Sequence, residues 1–165
     1  MAEFEAFVRE RSAALLRYGY VLSGNGHDAA DLTQEALARL GQAWSRVRNR
    51  DDPEGYVRTT MARLHVSWWR RRRRERLVDV VPERPYTEDG FARADGGDLW
   101  PAIVALPPRQ RVVLLLRYYE QRSDDEIAVL LGISRGTVRS QAARGLDKLR
   151  AAVAGDRLDQ LSGRC

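Results

Sequence analysis

Cysteine occurs once in these 165 residues, at Cys165, and histidine twice, at His27 and His65. One thiol forms no internal disulfide, and two histidines this far apart give no metal-ligand spacing. The terminal thiol reads as an incidental tail residue. No run of about 18 apolar residues exists, so no membrane-inserted helix is expected. The opening MAEFEAFVRERS has no apolar signal core, which points to a cytoplasmic protein. Glycine-rich phosphate loops and nucleophile elbows are missing too, so neither an enzyme, a cofactor nor a metal site is expected. Lysine is almost absent: Lys148 is the one lysine among 28 basic residues. The bias to arginine suits bidentate contacts with guanine and phosphate, although a GC-rich genome would produce it as well.

The charge that is present is unevenly placed. Residues 1–76 carry 15 basic and 10 acidic side chains, residues 77–100 carry 2 and 6, and residues 101–165 carry 11 and 7. Two basic lobes therefore flank an acidic joint. A basic lobe concentrates phosphate backbone, whereas an acidic segment repels or imitates it. The length fits one domain or two small ones, and a hydrophobic fraction of 44% suffices for packed helical cores.

Almost all of the chain has helical period, which predicts an all-α fold of two small helical domains. Phe4, Phe7, Val8, Leu15, Tyr18 and Leu22 form one apolar stripe, ended by Ser23-Gly24-Asn25-Gly26. A second helix is expected from about Asp28 to Trp44, with Leu32, Leu37, Leu40 and Trp44 inward. Asp31, Gln34, Glu35, Ala38 and Gln42 form its separate polar stripe. Arg46–Asp52 reads as a charged loop, and Pro53 suits the first position of a third helix running to about Glu75. That helix should bury Tyr56, Val57, Thr60, Met61, Leu64 and Trp68. Arg58, Thr59, Arg63, His65, Trp69 and Arg70 are expected off the core side. Arg70–Arg74 make five arginines in a row, more than a helix C-terminus needs to complement its dipole. Adjacent Trp68 and Trp69 cannot both face one core, and an aromatic surface beside a basic cluster is how proteins hold single-stranded bases. A core tryptophan pair with a solvated basic tail is the alternative.

Residues 77–100 contain Pro82, Pro85, Gly90, Gly96 and Gly97 and read as a flexible acidic linker. Paired prolines, Pro107 and Pro108, then precede a short apolar helix, RQRVVLLLRYYE. The following SDDEIAVLLGISRGTVRSQAARGLDKLR reads as a helix-turn-helix. Ile127, Leu130 and Leu131 line one side of its first helix, small Ala128 permits a close crossing, and Gly132 supplies a left-handed exit. Ser134 is a good N-cap for the next helix. Val138 should face the first helix, leaving Arg135, Thr137, Arg139, Ser140, Gln141 and Arg144 outward, side chains suited to groove reading and phosphate binding. That last helix is expected to run from Arg135 to about Val153, followed by a short tail, 156–165.

Taken together, DAADLTQEALARL, the YVRT…SWWRRRRR helix, the acidic linker and LPPRQRVVLLLRYYE…DDEIAVLLGISRGTVRSQ…LDKLR resemble an extracytoplasmic-function (group 4) sigma factor of the sigma-70 family, in its actinobacterial SigE-like branch. The likeness runs from residue 4 to about 153. It implies a region 2-like domain at 1–76, a linker at 77–100 and a region 4-like domain at 101–155. It also implies core RNA polymerase and promoter DNA as partners, with an anti-sigma factor as a further candidate. Asp31, Leu32, Gln34 and Glu35 would dock on the polymerase clamp helices. Arg58, Arg63, Trp68, Trp69, Arg70, Arg71 and Arg72, with the loop Arg46–Asp52, would recognise the −10 element and support melting. Ser134, Arg135, Thr137, Arg139, Ser140, Gln141 and Arg144 would read the −35 element. The linker would thread through the polymerase cleft. Many members have asparagine in place of Arg63 and a basic residue in place of Gln141; a glutamine there can pair bidentately with adenine. A stand-alone helix-turn-helix regulator shares the second lobe but has no use for the first. An RNA-binding or structural helical protein explains the charge but not the reading helix.

Overall fold

The computed structural model describes residues 1–47, 52–75 and 99–162, and among them there is no strand. The chain forms two compact units, Met1–Thr87 and Glu88–Cys165. The expected all-α class is what is found.

The first unit packs α1 (Ala2–Ser23), α2 (Gly26–Val47) and α3 (Pro53–Glu75). Gly24 ends α1 in the left-handed region at φ 77°, where glycine pays no Cβ penalty, and its N–H reaches the Tyr20 carbonyl. Asn25 then caps α2, its Oδ1 accepting the Asp28 N–H at 2.8 Å. A two-residue junction leaves the helices as an antiparallel hairpin. Its open end is closed by aromatics: Phe4 meets Trp44 edge-on at 5.4 Å between centroids, and Phe7 lies 5.8 Å from the same ring. At α3, Asp52 accepts the Gly55 N–H at 2.8 Å, and Pro53 follows at the position where a missing N–H costs nothing. Leu15, Leu22, Leu32, Leu40, Val57 and Met61 form the fully buried centre.

Several expectations for this unit change, beginning with Tyr56 and Thr60, which are half-buried and not buried. His65 is buried, because it lies one turn from Met61 on the same face of α3. Trp68 is half-buried, as is Trp69: about 100° apart around the helix, they lie on either side of Arg72, on the half of α3 that also carries Met61 and His65. Leu32 is wholly buried, so it supports the polar stripe of α2 from beneath and cannot itself be a contact residue on that surface.

The second unit contains α4 (Leu99–Val104), α5 (Pro108–Leu114), α6 (Asp124–Leu131) and α7 (Arg135–Ser162). Leu99 and Trp100, placed by sequence in the linker, already belong to α4. The rest of the acidic joint, residues 77–98, lies outside the described residues, as do residues 48–51 of the charged loop and Cys165. The segment 156–162, expected as tail, continues α7. Arg111 is buried, an unusual place for a guanidinium. It is tolerated because Nη1 donates to the carbonyls of Val104 at 2.8 Å and Leu106 at 3.3 Å, so the cation closes the α4–α5 turn. After Leu114 the helix widens into a π-helical turn, Leu115–Tyr119, which exposes Tyr118 and Tyr119.

Two substitutions test these constraints. A Cβ at Gly145 of α7 would lie 2.8 Å from Leu114 Cδ1 and 3.2 Å from its Cγ. The crowding costs about 1–3 kcal/mol, more than the roughly 1 kcal/mol that alanine gains over glycine in a helix. Gly145→Ala should therefore lower the denaturant midpoint of the second unit. Gln121, just after the π-helical turn, holds φ at 54°, a left-handed position that is strained for a side chain. Gln121→Gly should raise stability by about 0.5–1 kcal/mol, the strain relieved minus the added freedom of the unfolded glycine; an unchanged or lower melting temperature contradicts that strain.

Candidate nucleic-acid interface

The outward face of α3 is a single stripe. Arg63, Ser67, Arg70, Arg71 and Arg74 are exposed at spacings of three and four, while half-buried Trp68 and Trp69 lie on either side of Arg72, toward the inward face. A row of guanidinium groups with two half-open indoles on the same helix offers backbone attraction and stacking surface together. Two predicted members of this site lie elsewhere. Arg72 sits about half a turn from Arg63 and pairs with Asp28 of α2 at 2.8 Å. Arg58, side chain 22% exposed, is held by Glu54 one turn earlier, and Glu54 also lies 3.4 Å from Arg11. Arg72 thus joins α3 to α2, while Arg58 steadies within α3 the carboxylate that reaches Arg11 of α1.

On α2, Asp31, Gln34, Glu35, Ala38 and Gln42 are all exposed, as their spacing requires. Asp31 faces His27 at 3.3 Å and Glu35 faces Arg39 at 2.8 Å. Exposed pairs such as these are worth about 0–1 kcal/mol, so a partner can displace them cheaply.

In the second unit, α6 and α7 are joined as the sequence predicts. Ser123 and Glu126 cap α6 reciprocally, side chain to backbone, at 3.1 and 2.9 Å. Gly132 exits at φ 65°, and the Ile133 N–H returns to the Ala128 carbonyl. Ser134 Oγ then accepts the Thr137 N–H at 3.0 Å and shares a hydrogen bond with the Thr137 hydroxyl. Val138 is fully buried against this turn. Arg135, Arg139, Ser140 and Arg144 stand exposed on α7, while Thr137 and Gln141 are half-buried. The predicted residues of this helix thus lie off its buried Val138 face, four exposed and two half-covered.

Acidic residues missing from the predicted site organise these arginines. Asp124 Oδ2 accepts from Arg139 Nε at 3.2 Å, and its other oxygen lies 3.4 Å from Arg117 Nε. Asp125 is 3.7 Å from Arg135. The Arg117 guanidinium also covers the Tyr118 ring, 5.7 Å from its centroid. No local spacing reveals such pairs, since the partners approach across a turn.

Comparison with known proteins gives these faces their family. Residues 7–75 match the family model described as Sigma-70 region 2, and residues 98–149 match that described as Sigma-70, region 4. The chain belongs to the sigma-70 family, as a sigma factor of the extracytoplasmic-function type. It is 38% identical to the RNA polymerase sigma-E factor of Streptomyces coelicolor, over 95% of this chain and 89% of that one. It is 36% identical to the ECF RNA polymerase sigma factor SigE of Mycolicibacterium smegmatis, over 93% of this chain and 63% of the relative. Among solved structures, the sigma factor RpoE in complex with the anti-sigma factor NepR from Bartonella quintana aligns with a TM-score of 0.60. That match covers 93% of this chain and 98% of the other at 21% identity, a likeness of fold.

The Asp28–Arg72 bridge makes a measurable claim about which arginines hold the fold. In a double-mutant cycle on the full chain, Asp28→Asn and Arg72→Ala should couple by about 0.5–1 kcal/mol, as close residues in one ion pair do. Arg71→Ala should show no coupling to Asp28. Denaturant unfolding followed by tryptophan fluorescence in a Trp100→Phe background reads this, because the other three tryptophans, Trp44, Trp68 and Trp69, lie in the first unit.

Proposed function

We propose that this sigma factor recruits core RNA polymerase to promoters, with the α3 stripe engaging the −10 element and α7 entering the major groove at the −35 element. The supporting observation is the pairing of two exposed arginine faces, one on each unit, with matches to regions 2 and 4 in that order. Polymerase docking falls to Asp31, Gln34 and Glu35, whose side chains are exposed and weakly engaged. Arg63, Arg70, Arg71, Trp68 and Trp69 carry the melting role, joined by Ser134, Arg135, Thr137, Arg139, Ser140, Gln141 and Arg144 for −35 reading. Arg58 and Arg72 act from behind the stripe by fixing α3.

Bond formation stays with the polymerase; sigma factors are initiation factors without an enzymatic step of their own. Such a factor works in the cytoplasm, and no helix among the described residues is long and apolar enough to cross a membrane. Melting needs a few kcal/mol per unpaired base, and a base stacked on an indole recovers roughly 1–3 kcal/mol. Neither unit alone needs to bind DNA tightly. Held on one polymerase, the second contact becomes effectively intramolecular and avidity rises without new contacts. The structural relative is bound by an anti-sigma factor, and an inhibitor of that kind, covering these same faces, would silence this chain.

Pull-down with core polymerase and transcription in vitro test the assignment. Stoichiometric binding with promoter-dependent transcripts is expected; a failure to bind several cores would favour the stand-alone regulator. Within the holoenzyme, Trp68→Ala or Trp69→Ala should leave polymerase binding intact and lower permanganate-reactive open promoter several-fold. Equal opening by both variants would remove the tryptophans from melting.

A further inference from the structure

The first turn of α6 is three consecutive acids, Asp124, Asp125 and Glu126. Glu126 belongs to the capping box, and Asp125, with its side chain 73% exposed, lies loosely beside Arg135 at 3.7 Å. Asp124 differs from both. Its side chain is only 15% exposed, and its two oxygens address two different arginines, Arg117 in the middle of the π-helical turn and Arg139 on α7.

Both arginines are met at Nε. A guanidinium held through Nε has its roll about the side-chain axis fixed while its two terminal nitrogens remain on the outer edge. That outer edge is what pairs bidentately with a guanine or a phosphate. Arg139 is 59% exposed, so its fork reaches solvent although its stem is tied. Arg117 is steadied a second time by the Tyr118 ring beneath it. Long arginine side chains otherwise lose considerable rotamer freedom on binding.

We propose that Asp124 is a positioning residue that presents Arg117 and Arg139 as a paired reading head, making Arg117 part of the −35 specificity surface. This deepens the promoter reading above and rests on it. The carboxylate acts in two senses. It orients two forks before DNA arrives, and its negative charge at the groove face weakens attachment to arbitrary phosphate. Asp124 therefore raises the ratio of specific to non-specific binding rather than affinity as a whole.

The test uses holoenzyme assembled with core polymerase, a promoter library randomised across the −35 hexamer, and a promoter-free duplex as the non-specific probe. Asp124→Asn should reduce −35 discrimination about 5- to 20-fold, the scale of one well-set bidentate pair. Its binding to the promoter-free duplex should hold or rise, with a steeper salt dependence, since one repelling charge is gone. Asp125→Asn should stay within twofold of wild type. In an Arg117→Ala, Arg139→Ala background, Asp124→Asn should cause no further loss of discrimination, because nothing remains for it to orient. Asp124→Glu, which keeps the carboxylate, should recover much of the selectivity even if the asparagine variant folds poorly. Wild-type preference at −35 with equal preference in Asp124→Asn overturns the proposal alone; a wild-type holoenzyme indifferent to the −35 sequence overturns the promoter reading and the proposal with it.

Discussion

Arginine supplies nearly all of the positive charge in this molecule, and a carboxylate near the start of a helix decides what many of those arginines do. Asp28 near the start of α2 takes Arg72, Glu54 at the start of α3 takes Arg58, and Asp124 at the start of α6 takes Arg139. The location has a physical reason. A carboxylate in a first turn is already favoured by the helix dipole, so it is well placed to anchor a cation from elsewhere. Arginines met in this way become part of the scaffold or are held in one orientation. Those left on an outward stripe, such as Arg63 and Arg71, keep their charge for another anion.

That distribution explains why the two units reach the same end by different means. On α3 the stripe is broad and repetitive, and two half-buried indoles share its helix, which suits a ligand recognised by backbone charge and stacking. On α7 the display is narrower. Ser134 also caps the helix and Val138 belongs to the core, so on the proposed reading a few side chains from Ser134 to Arg144 carry the readout. A broad face tolerates variation in any one arginine. A narrow one depends on each fork being aimed.

Periodicity made the helices legible, and chemistry at their ends made the boundaries legible. Pro53, Gly24 and Gly132 act in the structure as their residue types require, two of them at positive φ. The α2 pattern already sets Leu32 inward beside Leu40, and that same burial takes it out of the docking surface. Two things escaped because they arise between elements. Arg111 breaks the rule that arginine lies outside, and only the two carbonyls it meets show why. The Asp124 bridge spans fifteen residues to Arg139 across a turn. On α3, alternation of core and surface predicted an exposed arginine row but not that Arg58 and Arg72 fall on its far side.

The separation of scaffold arginines from displayed ones also constrains how specificity arises. A surface with all its guanidinium groups displayed would bind any duplex, since the phosphate term is large and independent of sequence. Each internal carboxylate removes part of that general attraction while fixing a direction for what remains. Weak, directed contacts on two separate units become useful only when a third body holds both at once. On the proposed reading low intrinsic affinity is then a condition of selectivity: neither face alone needs to hold DNA tightly for the polymerase-bound pair to discriminate.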